Sequence, residues 1–255
     1  MLAKYGTPGN IAAFGLETAD PAVHEKNNLN VTGDECLHAV RILNEEGGHR
    51  GWNGLPHVLP GINFLFGLWG ESKATYDHNR RWLERLVAEG LLVRRINIRK
   101  VSADQPGMGR THESSYVRFK AWVREQIDRP MLRRIAPEGA VLRDVYLEAR
   151  DGHVTFGRQV GTYALLTGLP YDAPLERFVD VRVTSHGHRS LTGVEWPLPV
   201  NLASLRALQA LPGVGAKRAA RLVVKRPFRT HRDVTAALDD ADAAARVTAS
   251  IVLDA

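Results

Sequence analysis

Cysteine is almost absent from this chain, with one among 255 residues, Cys36. No internal disulfide can form, and no thiolate-held metal cluster can be built from the chain alone. Long apolar runs are missing too. The longest fall well short of the roughly 20 residues that a membrane helix needs, and the N-terminus lacks a basic-then-apolar signal pattern. These absences predict a soluble, cytoplasmic protein without a membrane partner. Acidic residues are missing from one stretch, Arg206 to Arg232, where Lys and Arg dominate. The whole chain carries a net charge of +6 and has a pI near 9.7, a balance that suits polyanionic partners.

What is present is an ordinary globular composition, 44% hydrophobic, organised in alternating strand and helix patterns. Asn10 to Glu17 (NIAAFGLE) reads as a short strand with Phe14 and Leu16 on one face and Ala13, Gly15 and Glu17 on the other. Pro60 to Glu71 (PGINFLFGLWGE) reads as a strand running into a glycine-rich ligand loop. Alternation sets Ile62, Phe64 and Phe66 against Asn63, Leu65 and Gly67, and the Gly67, Gly70 pair lets backbone approach a ligand closely. Arg94 to Val101 (RRINIRKV) alternates Ile96 and Ile98 against Arg95, Asn97 and Arg99.

Helical patterns separate these strands. Thr32 and Glu35 make a capping box ahead of Cys36, Leu37, Val40 and Leu43, and Tyr76, Trp82, Leu83, Leu86 and Val87 line one face of the next helix. The order predicts parallel βα units with ligand groups at the strand ends. Glu17 stands out, since a carboxylate at the end of a parallel strand is expensive to leave without a partner.

GLETADP, NNLNVT, GINFLFGLWGE and RRINIRKV together resemble the fourth, fifth and sixth strand regions of radical S-adenosylmethionine enzymes, in particular a mostly archaeal group with a C-terminal helix-hairpin-helix. The resemblance covers nearly the whole chain. It implies half of a TIM-type βα barrel over residues 1–112, with S-adenosylmethionine near Gly67, Gly70 and Glu71 and with Glu17 facing the same cavity; Asn63, Asn97 and Arg99, on the polar faces of their strands, are further candidates to line it or, with Arg95, form a structural polar layer. It also implies a 4Fe-4S cluster held by a CxxxCxxC loop after the first strand. That motif is absent here. The chain begins at MLAKYGTPGN, just before the fourth strand of the pattern, so the first three βα units and all cluster ligands are expected to be missing from it. Cys36 lies on an apolar helix stripe and reads as a small buried hydrophobe.

Beyond the third strand, Gln105 to Gly109 reads as a loop, and Tyr116, Phe119, Val123 and Ile127 define a helix that closes the half barrel. Pro130 and Pro137 bracket a linker, so that residues 113–137 form a closing helix and connection. Residues 138–199 then carry five short alternating runs, VLRDVYLEA, HVTFGRQ, YALLTGL, FVDVRVTSHG and SLTGVEW, with a hairpin signal at Asp151-Gly152. They predict a small closed barrel that resembles the TRAM-like or OB-like barrels of RNA-modifying enzymes. His186 and His188 lack a further ligand at suitable spacing, which argues against a metal there.

Residues 200–255 predict a helix-hairpin-helix. Leu202, Leu205 and Leu208 form an apolar face, LPGVG from Leu211 to Gly215 breaks it, and a second helix starts at Ala216. Gly213 and Gly215 permit the tight turn, and the free amides that follow suit a nucleic-acid phosphate. Lys217, Arg221 and Lys225 recur every fourth residue with Arg218 beside them, while Ala219, Leu222 and Val223 face the core. Phosphate contact without base readout follows. The next two helices are joined by Asp239-Asp240 with no glycine, so any second hairpin is degenerate. The chain therefore reads as the C-terminal portion of a radical enzyme acting on nucleic acid, RNA modification being favoured. Two alternatives remain: a noncatalytic nucleic-acid-binding module, and one half of a split or truncated enzyme whose cluster-bearing N-terminal half is a separate chain.

Overall fold

The computed structural model describes residues 1–101 and 111–253, so the loop expected at 105–109 lies outside the described residues. The chain folds into two compact units, one made of residues 1–51, 55–135 and 161–163, the other of 52–54, 136–160 and 164–255.

The first unit is mixed α and β. Its elements run α1 (Leu2–Tyr5), β1 (Asn10–Glu17), α2 (Pro21–Lys26), α3 (Gly33–Gly47), β2 (Val58–Phe66), α4 (Lys73–Ala88), β3 (Arg95–Lys100), α5 (Glu113–Val123), a π-helical turn (Arg124–Asp128) and α6 (Arg129–Ile135). The three strands pair in parallel in the order β1-β2-β3, with Phe14 beside Ile62 and Ile62 beside Ile96. One sheet face is the core: Leu16, Ile62, Phe64, Phe66 and Ile96 pack against Leu37 and Val40 of α3, Trp82 and Leu83 of α4, and Tyr116 and Phe119 of α5. Rings order this layer. Phe64 meets Phe119 edge-on at 5.8 Å and Phe66 stacks on Tyr76 at 4.7 Å.

The capping box at Thr32 and Glu35 starts α3 as its spacing predicts, and α4 is capped by Ser72. Val87, expected on the buried stripe of α4, is instead 37% exposed at the stripe's margin. The linker expected from Pro130 is helical through Ile135. Proline has no N–H to give the carbonyl four residues back, and its ring crowds that carbonyl. The helix accommodates it with the π turn just before, where the Arg129 N–H donates to the Arg124 carbonyl.

The second unit contains a closed five-stranded barrel of β4 (Val141–Asp151), β5 (Val154–Gln159), β6 (Leu166–Leu169), β7 (Phe178–His186) and β8 (Ser190–Glu195). Its order is β4-β5-β6-β8-β7, antiparallel except for β6 beside β8. The hairpin at Asp151-Gly152 joins β4 to β5, with Gly152 at φ 55°. β4 serves two neighbours by bending at Asp144, where φ is 54° and the register shifts.

β9 (Leu198–Pro199) then pairs in parallel with β10 (Ile251–Val252), enclosing α7 (Leu205–Gln209), α8 (Ala216–Val224), α9 (His231–Ala237) and α10 (Ala241–Thr248). These helices belong to the same compact unit as the barrel. Arg182 of β7 donates to the Ala249 carbonyl and to the Ser250 hydroxyl. The buried faces differ from the expected ones. Ala207, Leu208 and Leu211 are buried, whereas Leu202 and Leu205 are exposed; on α8, Ala219 and Leu222 are buried and Val223 is not. With only five residues, α7 is too short to bury a three-leucine stripe.

Candidate functional site

The sheet face opposite the core carries the polar residues that alternation assigned to it. Ala13, Gly15 and Arg99 are exposed there, and Glu17, Asn63, Leu65, Arg95 and Asn97 are half-buried. Asn63 and Asn97 are register partners on β2 and β3, so their side chains meet. The Asn97 amide donates to Asn63 at 2.8 Å, and Arg95 Nε donates to Asn97 Oδ1 at 2.9 Å. The Arg95 guanidinium also lies 5.0 Å from the ring centre of Tyr163.

Glu17 ends β1 in the left-handed region, at φ 60°, just past a register shift against β2. This conformation is costly for a residue with a Cβ and is typical of functional positions. The Glu17 carboxylate folds back over Gly15, where a Cβ would come within 2.7 Å of Oε1. Burial raises its pKa above the ordinary glutamate range, and the Arg99 charge opposes that rise. A half-buried carboxyl group thus faces the polar sheet surface, at the strand end where ligands of parallel sheets bind.

The loop after β2 is built differently from its sequence-based assignment. Gly67 and Gly70 sit at φ 89° and 81°, which alone requires glycine at both. Both Glu71 oxygens are engaged by the chain: Oε2 accepts the Gly67 N–H, and Oε1 accepts the Tyr76 hydroxyl at 2.7 Å. Glu71 is therefore a strut of the loop, with a bond from the chain on each carboxylate oxygen. Asn27 of the α2 end, which the sequence pattern does not single out, clamps the same loop. Its side chain accepts from the Trp69 N–H at 3.0 Å and donates to the Trp69 carbonyl at 2.8 Å. Trp69 is left 44% exposed.

In the second unit the α7–α8 turn is tight at one glycine only. Gly213 has φ 84°, and a Cβ there would lie 3.3 Å from both Ala243 Cβ and Arg246 Nη2. Gly215 has φ −81°, open to any residue, and a Cβ there would meet nothing within 4 Å. It caps α8 without a side chain, so the first-turn amides remain uncovered. The expected basic stripe divides. Lys217 and Lys225 are exposed and make no ion pair among the described residues. Arg218 is bound three ways: to Asp239 at 2.8 Å, to Asp240 at 3.1 Å and to the Gly213 carbonyl at 2.9 Å. Arg221 reaches Asp239 at 3.3 Å. These pairs hold the Asp239 carboxyl at about 2, through hydrogen bonds from Arg218 first. Arg246 of α10 stands beside the Gly213 turn instead, a cation that no spacing within α8 reveals.

No family profile matches the chain. It is 41% identical over 243 residues, 92% of its length, to an uncharacterized protein of Archaeoglobus fulgidus, of which it covers 45%. It is 45% identical over 203 residues, 76% of its length, to an uncharacterized protein of Methanocaldococcus jannaschii, of which it covers 37%. The chain spans less than half the length of these curated relatives.

Proposed function

We propose that this chain is the nucleic-acid-engaging C-terminal portion of a radical S-adenosylmethionine protein, with RNA modification as its setting. In this reading, β1 to β3 are part of a TIM-type barrel, the closed barrel is OB-like, and α7–α8 is a helix-hairpin-helix. The observation that carries the nucleic-acid part is Gly215. Neither its backbone angles nor any neighbour requires glycine, and the missing side chain leaves the α8 amides open to a phosphate oxygen. Lys217 stands in the same first turn to supply charge. The five-stranded barrel, antiparallel but for one pair, supports the same partner class, since OB barrels bind oligonucleotides.

On the sheet, Glu17, the Asn63–Asn97 pair and Arg99 are the residues that would face S-adenosylmethionine. A 4Fe-4S cluster does not fit this chain. The single cysteine, Cys36, is buried in the core, where its thiol is pushed up to about 12, and one thiol cannot supply the several thiolates that such a cluster needs. The cluster would have to come from further polypeptide, and the relatives' greater length leaves room for it. The same buried cysteine favours a second reading, a nucleic-acid-binding module without radical chemistry.

Two measurements separate them. Anisotropy titration of labelled RNA and DNA duplexes with the full chain tests nucleic-acid binding, which should be weakly sequence-dependent and steeply salt-dependent. Co-expression with a CxxxCxxC-bearing polypeptide tests the split enzyme: a soluble iron-containing complex supports it. A chain that is monomeric at high concentration and ignores such a partner refutes it, because a parallel sheet with an unpaired edge strand and one open face is prone to aggregate.

A further inference from the structure

We infer that the first unit holds a second ligand site, for a small phosphate monoester, in a cleft of about 500 Å³ between the β1–α2 connection, the start of α3 and the middle of α4. This site is independent of the nucleic-acid reading. The volume lies in the range of small-molecule sites, and the cleft opens just past the carboxyl end of a parallel strand, where such sheets bind ligands.

Hydrogen bonds tie the cleft floor together. Asp20 accepts the Ala22 N–H at 3.1 Å and the Thr75 hydroxyl at 2.8 Å, and Asn79 accepts the Ala19 N–H at 2.7 Å and the Thr18 hydroxyl at 3.3 Å. Trp82 forms an apolar wall, fixed by its Nε1 donating to the Gly33 carbonyl at 2.7 Å.

The ligand class follows from which lining groups are already matched. The two lining carboxylates already have partners: both Asp20 oxygens accept as above, and Asp34 pairs with Arg85 at 2.7 Å. The first turn of α3 is closed by Thr32 and Glu35. The unmatched groups are Arg81 and His78, which make no hydrogen bond or ion pair among the described residues, and His24, whose Nε2 is buried with no partner. A guanidinium and two imidazoles without acceptors, beside Trp82 and Pro21, call for a ligand that brings several acceptor oxygens on a small apolar-faced body. A phosphate monoester such as a nucleoside monophosphate or a sugar phosphate has that chemistry.

The test is calorimetric titration of the full chain with AMP, ribose 5-phosphate, adenosine and inorganic phosphate. Saturable binding of AMP or ribose 5-phosphate but not adenosine is expected, and comparison of the two assigns the organic body. Arg81→Gln should weaken it by about tenfold, the loss of one charge-assisted hydrogen bond, while Lys217→Gln in the other unit leaves it unchanged. His24 and His78 ring resonances should shift on adding ligand to the unsubstituted chain, a readout that does not depend on any variant folding. No saturable binding, equal weakening by Lys217→Gln, or unmoved histidine resonances would each overturn the assignment.

Discussion

Gly213 and Gly215 are two residues apart in one turn, and alanine at each should do opposite things. At Gly213 alanine would inherit φ 84°, a left-handed conformation costing about 1–2 kcal/mol for a residue with a Cβ. Its methyl would also press on Ala243 and Arg246 at 3.3 Å. In a domain of about 150–250 residues, where 1 kcal/mol shifts Tm by about 2–4 °C, the expected fall is about 2–8 °C. At Gly215 two effects oppose. A glycine replaced where φ suits alanine gains about 0.4–1 kcal/mol through the unfolded chain, and alanine in place of glycine at an N-cap loses about as much. Stability should therefore stay within about 0.5 kcal/mol of the parent. The new methyl nevertheless stands before the open amides of α8, and losing one phosphate hydrogen bond there should weaken nucleic-acid binding by about tenfold. Thermal melting and RNA anisotropy titration on both variants check this. If Gly215→Ala melts and binds as the parent does, the α8 amides do not receive a phosphate and the proposed interface is wrong.

Three further outcomes follow from the same geometry. Lys217→Gln should lower the magnitude of the log K against log salt slope by about one, while Arg218→Gln should mainly lower Tm, because its charge is spent on Asp239, Asp240 and the Gly213 carbonyl. Glu17→Gln should raise Tm at neutral pH. Burial holds the Glu17 pKa above its unfolded value, so the stability this group contributes is present below the unfolded pKa and lost as pH rises through the folded one. The difference between variant and parent should accordingly open as pH rises through the unfolded glutamate value of about 4.3 and vanish below it. Anaerobic reconstitution of the chain alone should yield no stable 4Fe-4S cluster and no 5′-deoxyadenosine, because Cys36 is a single buried thiol; stoichiometric iron with product would refute that.

Much of the fold is written in short-range patterns that physics enforces locally. Period-two alternation put Phe64 and Phe66 into the core and Asn63 and Leu65 on the open face, because a strand cannot turn one without turning the other. The Thr32–Glu35 box and the Asp151-Gly152 turn are equally local, and both elements begin or reverse where those residues stand. The margins of helical stripes are not local. Val87, Leu205 and Val223 have apolar side chains at plausible core spacing, yet each is exposed, since neighbouring elements decide how wide a buried stripe becomes. Pro130 read as a boundary, whereas a π turn let the helix continue through it.

The site residues divide along the same line, between what a residue is and what it is paired with. Glu71, Arg218 and Arg221 have the chemistry that a cofactor or phosphate wants, and sequence shows nothing to spend it. Folding supplies the competitors: the Gly67 amide and Tyr76 hydroxyl for Glu71, and the Asp239-Asp240 turn for the two arginines. The acid-free stretch from Arg206 to Arg232 is thus only apparently unopposed. The acids that balance it lie next in sequence, and the α9–α10 hairpin folds them back onto α8. On α8, Lys217 and Lys225 make no ion pair among the described residues, so there the charge that the sequence offers is still free after folding.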